Sequence, residues 1–156
     1  MAEGEGKVVE FSLGNMAGIS FLFRNDLHFL HHNIKGINFK EAHDMFSEYY
    51  DKALENMDYF AEHSLMKEKG DESFKNFSTV HTWSIYDTWE PIEGSRMEID
   101  EAFELFIENG NNYLDALELC RDYCEKEGWD DIVSDIDDIH SYWALEIEYK
   151  AKSIVS

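Results

Sequence analysis

The sequence predicts an all-α domain: a bundle of four long helices in which a long crossover, carrying a short extra helix, joins the second helix to the third. Three observations support this. A single proline among 156 residues leaves little to interrupt helix. Apolar residues recur three and four apart along four long segments, the pattern of helices with one buried face. Turn residues end each segment, and only one connection is long, which fits a bundle with one crossover better than a plain up-down bundle.

Residues 1–7 read as a polar tail on a single domain spanning 1–156. The first helix runs from about Phe11 to His32 on Phe11, Leu13, Ala17, Phe21, Leu27 and Leu30, with Gly14 and Gly18 weakening its early turns. Gly36 ends it. The second spans about Phe39 to Lys69, with a stripe of Phe39, Ala42, Phe46, Tyr49, Ala53, Met57, Phe60 and Ser64, and closes at Gly70. Residues 71–94 are too long for a bare connection in a compact domain, so a short helix is expected near Phe74 to Tyr86. Ser95-Arg96-Met97-Glu98 reads as a capping box opening the third helix, whose stripe runs from Ile99 through Phe106 and Tyr113 to Cys124 before Gly128. The fourth extends from about Trp129 to Ile154.

Charge narrows the function classes. Lys plus Arg number 13 against 34 Asp plus Glu, a formal net charge of −21. Such a field repels phosphate backbones and anionic lipid and attracts cations. No apolar run is long enough to span a membrane, and the amino terminus lacks a secretory core. Two cysteines make no disulfide framework, and a reducing cytoplasm is the expected setting.

The chemistry-bearing residues sit on the first two helices. His28, His31 and His32 lie three and four apart, and His43, Ser47, Asp58 and Glu62 share a face of the second helix beside its apolar stripe. At ~1.5 Å per residue His43 and Glu62 are about 28 Å apart, too far to share an ion within one chain. The pairs 43/62 and 47/58 nevertheless have a common midpoint between residues 52 and 53. A two-fold axis there sets His43 of one chain opposite Glu62 of an antiparallel copy, and position 47 opposite Asp58. Imidazole mixed with carboxylate suits iron or zinc. The bland alternative is an interfacial salt-bridge cluster.

These residues carry a resemblance. His31-His32-Asn33-Ile34-Lys35-Gly36-Ile37-Asn38-Phe39, followed by His43, Phe46, Tyr50 and Asp58-Tyr59-Phe60-Ala61-Glu62, resembles the Dps family of ferritin-like miniferritins, and Ile139-His140-Ser141-Tyr142-Trp143 is similar to that family's last-helix segment. The resemblance implies a ferritin-like bundle and a hollow dodecamer built from two-fold dimers. That shell would oxidise Fe(II) with hydrogen peroxide or oxygen and store ferric mineral. It carries the ferroxidase ligands over to His31 and His43 of one subunit and Asp58 and Glu62 of its partner, with Asp58 the bridge and Glu62 the strongest ligand.

The departures matter as much. Ser47 stands where the family has an acidic ligand, His32 where it has Trp, and His63 where it has Arg. His32, Asp44 and His63 are therefore candidate extra ligands, and activity weakened by Ser47 is expected. Asp131 and Asp135 match acidic positions that line the family's three-fold pores, where carboxylate rings concentrate Fe(II); otherwise they are a solvated face. The tail, with Glu3, Glu5 and Glu10 against Lys7, is not the basic arm that DNA binding needs, so no direct DNA binding is expected. Cys120 and Cys124 read as buried thiols, and His81 and His140 as structural. Two other readings are an acidic decoy or DNA mimic that captures a basic protein, and a catalytically weakened metal-binding shell.

Overall fold

A computed structural model describes residues 12–36, 39–69 and 89–155. Its elements, in chain order, are α1 (Leu13–Asn33), β1 (Ile34–Lys35), α2 (Phe39–Lys67), β2 (Met97–Glu98), α3 (Ile99–Glu127) and α4 (Asp130–Val155). Helix α1 packs along α2, α3 packs along α4, and α1 also meets α3. Side chains tie α2 to α4: Tyr49 donates to Glu146 at 2.6 Å and Trp143 to Asn56 at 2.8 Å.

Aromatic rings from all four helices fill the centre. Phe23, Phe46, Tyr49, Phe60, Phe106, Tyr113 and Trp143 are all fully buried. Phe23 stacks on Tyr113 with centroids 4.6 Å apart and Tyr49 on Phe106 at 4.8 Å, while Trp143 meets Phe23 edge-on at 5.1 Å. Such offset and edge-on pairs add to what burial of the rings already contributes. Buried hydroxyls are paired as burial requires, Ser20 with Tyr113 at 2.7 Å.

The helix ends show why the boundaries fall where they do. Ser12 caps α1 by accepting from the Asn15 amide at 3.1 Å. The buried Glu68, just past α2, accepts from the Leu13 and Gly14 amides at 2.6 and 2.9 Å and from the Ser64 hydroxyl at 2.7 Å. A carboxylate here meets both the orphan donors and the positive end of the helix dipole. Gly128 ends α3 in the left-handed region at φ 79°, with Trp129 N donating to Cys124 O at 3.0 Å.

The capping box at Ser95 does not form. Helix α3 begins at Ile99 after an extended Glu98 that makes no side-chain cap bond. The backbone of Met97 and Glu98 is committed instead to a parallel pairing with Ile34 and Lys35, and the buried Met97 side chain anchors it. Arg96 adds a bond to the Ile34 carbonyl at 2.9 Å. A local capping signal thus loses to a tertiary contact. Helix α2 is described to Lys67, two residues short of the expected Lys69, and Gly70 lies outside the described residues. The helix expected near Phe74 to Tyr86 lies outside them as well.

The end of the crossover is pinned to α1 through a buried carboxylate. Asp26 accepts from Trp89 Nε1 at 2.9 Å, from the Ile92 amide at 3.0 Å and from Asn109 Nδ2 at 2.7 Å. One side chain therefore joins α1, the returning chain and α3.

Candidate metal centre

Where α1 ends and α2 begins, two histidines clasp each other's backbone. His31 Nδ1 donates to the carbonyl of His43 at 3.0 Å, and His43 Nδ1 donates to the carbonyl of His31 at 2.7 Å. Their rings stack with centroids 3.9 Å apart. A carbonyl can only accept, so each Nδ1 carries its hydrogen, and the neutral form of either ring has its lone pair at Nε2, from where it can ligate a metal. Burial pushes the His31 pKa down and outweighs the bond to the His43 carbonyl, which raises it; the nearby His43 and His32 rings add to the lowering, and the net shift favours the neutral ring.

His28 and His32 lie one turn apart on the exposed side of α1, with Nε2 atoms 3.1 Å from each other. The His32 Nε2 is directed at His28. Tyr50 of α2 stacks beside His28 with centroids 4.8 Å apart, and Arg24 lies over Tyr50.

Asp58 and Glu62 project from the far half of α2. Both are exposed, and both line an open hollow with Glu55, Asp135 and Asp138. Across that hollow Tyr59 donates to Asp135 at 2.6 Å, and burial, helped by this bond, pushes the Tyr59 phenol well above its usual range. Asp131 is exposed at the start of α4. Ser47, one turn after His43, is half-buried.

The chain therefore holds His31 and His43 at one end of α2, with Asp58 and Glu62 about 22 and 28 Å from His43 by helix rise. Among the described residues no three His, Cys, Asp or Glu side chains of one chain come together as a metal site. The donors match imidazole–carboxylate chemistry only if a second chain brings the two ends together.

Of the extra ligand candidates, Asp44 pairs with Lys40 at 3.2 Å, and His63 donates to the Tyr59 carbonyl at 2.8 Å. His140 bonds Glu118 at 3.0 Å, and Cys120 and Cys124 are free, fully buried thiols. His81 lies outside the described residues. The roles of Asp26 and Glu68 had no signal in the sequence, because each bonds a segment tens of residues away.

The ferritin-like domain model matches residues 17–137. Among solved structures, Helicobacter cinaedi CAIP is similar at a TM-score of 0.80 and 15% identity, covering 91% of this chain and 96% of that one. Dps from Staphylococcus aureus is similar at 0.76 and 17%, covering 91% of each chain. Dps from Listeria innocua, in a cobalt-soaked crystal, is similar at 0.78 and 15%, covering 93% of each. No curated protein sequence matches significantly. The chain belongs to the ferritin family. Within that family its fold is that of the Dps miniferritins. Among the described residues no helix is long and apolar enough to cross a membrane.

Proposed function

We propose that the protein is an iron-storage miniferritin of the cytoplasm, a dodecameric shell that oxidises Fe(II) at sites shared between two-fold-related subunits. The reading rests on the reciprocal clasp of His31 and His43, which sets both rings in the tautomer whose Nε2 can bind a metal. Glu62, which mirrors His43 about the helix midpoint, and Asp58, one turn before it, are both exposed and supply the acids from the partner subunit. Iron is here the substrate. Each of two Fe(II) ions gives one electron to hydrogen peroxide, the O–O bond breaks, and two hydroxides leave without a free radical. Asp58 bridges, Glu62 holds the tighter position, and the two imidazoles complete the other. Asp131 and Asp135 form the inlet that draws Fe(II) into the shell, and inner carboxylates seed ferric mineral.

The test is the double variant Asp58→Ala/Glu62→Ala. Peroxide-driven Fe(II) oxidation, followed by ferric absorbance, should fall at least tenfold while the assembly keeps its size. Unchanged oxidation in an intact assembly removes the shared site. Ser47 favours one second reading, a shell that binds divalent ions without turning them over; stoichiometric Fe(II) binding with no oxidation above the buffer rate would select it.

A further inference from the structure

His28 and His32 are not needed for the clasp between His31 and His43, yet they are placed for coordination of their own. They are i and i+4 on one helix, both exposed, and their Nε2 atoms stand 3.1 Å apart. We propose that they form a two-imidazole chelate for a divalent transition cation of the zinc and copper class, separate from the centre shared between subunits.

The geometry fits without moving the backbone. Metal–imidazole bonds run about 2.0–2.1 Å, so two of them spanning the observed 3.1 Å subtend roughly 100°, between the octahedral and tetrahedral values. In the metal-free chain one Nε2–H donates to the other Nε2. On binding, the donor ring moves its hydrogen to Nδ1 and both lone pairs turn to the cation, with no net proton released. Neighbouring rings hold the pair in place: His31 lies edge-on to His32 with centroids 4.6 Å apart, and Tyr50 packs beside His28. A donor set of imidazole and water discriminates against calcium and magnesium, which prefer all-oxygen sites, and the net charge of −21 raises the local cation concentration. The chelate needs one chain only and does not rest on the proposed ferroxidase reading.

Copper(II) is the probe, added to the full-length assembly with glycine as a competing ligand, because its electron paramagnetic resonance spectrum counts bound nitrogens. One copper equivalent per chain should show two imidazole nitrogens. His28→Gln and His32→Gln, each at an exposed position, should remove that equivalent or weaken it at least tenfold while helix content by circular dichroism stays the same. The same equivalent should persist in Asp58→Ala/Glu62→Ala. Retention of the two-nitrogen signal in both histidine variants overturns the chelate. Its disappearance from the acid variant with both histidines intact also overturns it, since the rings would then serve the shared centre.

Discussion

Ser47 sits half-buried one turn after His43, at the position that a two-fold axis would set against the partner subunit's Asp58. A hydroxyl binds iron far less well than a carboxylate, so Ser47→Asp should raise the initial rate of Fe(II) oxidation about tenfold, about 1.4 kcal/mol of barrier. An unchanged rate at saturating peroxide would place residue 47 away from the centre. Asp26 raises a different question at the same scale. Burial pushes its pKa up to about 6, although three N–H donors favour the ionised form. A folded carboxyl that holds its proton above the unfolded value contributes stability that is complete below about pH 4. That stability is lost as pH rises through about 6, a change of about 3 kcal/mol. Asp26→Asn does not titrate, so its stability relative to the parent should improve by most of that amount between pH 4 and 7, whatever the offset at pH 4. A denaturant midpoint difference that stays flat across this window would contradict the raised pKa.

At the scale of elements, Glu68 fastens the start of α1 to the end of α2, with 55 residues separating it from Leu13. Glu68→Ala strips the acceptor from the Leu13 and Gly14 amides in a buried place, and should cost about 2–3 kcal/mol in urea unfolding. Glu68→Gln keeps the packing and one acceptor oxygen and should lose less; equal losses would assign the effect to the second acceptor oxygen and the charge rather than to packing. Most of the apolar stripes of the first three helices, the glycine stop at Gly128 and the long crossover were legible in the sequence, because each is a local pattern; along the fourth helix Leu145 and Tyr149 are exposed. The start of α3 was not legible. Ser95 to Glu98 satisfies every local rule for a cap, yet the chain spends those residues on the pairing with Ile34 and Lys35.

For the whole molecule, charge and assembly dominate. The proposed shell of twelve chains of 18.3 kDa should sediment as a single species of about 220 kDa. Carrying −21 per chain, it should leave duplex DNA unshifted in a gel at physiological salt, and a retarded band would contradict that expectation. If Asp131 belongs to a steering inlet, Asp131→Asn should slow iron uptake severalfold at low ionic strength, with the deficit shrinking as salt is added.

The sequence alone determined the helical class, the order of the long helices, the acidic field and the residues proposed as iron ligands, because periodicity, net charge and motif spacing are properties of the chain itself. It also located the candidate ligands, though with His43 and Glu62 about 28 Å apart along the second helix. Only the tertiary structure decided how those ligands are prepared. The crossed bonds of His31 and His43, the approach of His28 to His32 and the buried anchors Asp26 and Glu68 all depend on side-chain direction and on contacts between segments. A linear pattern places a residue on a face, but the angle at which two helices meet decides what its polar atoms can reach.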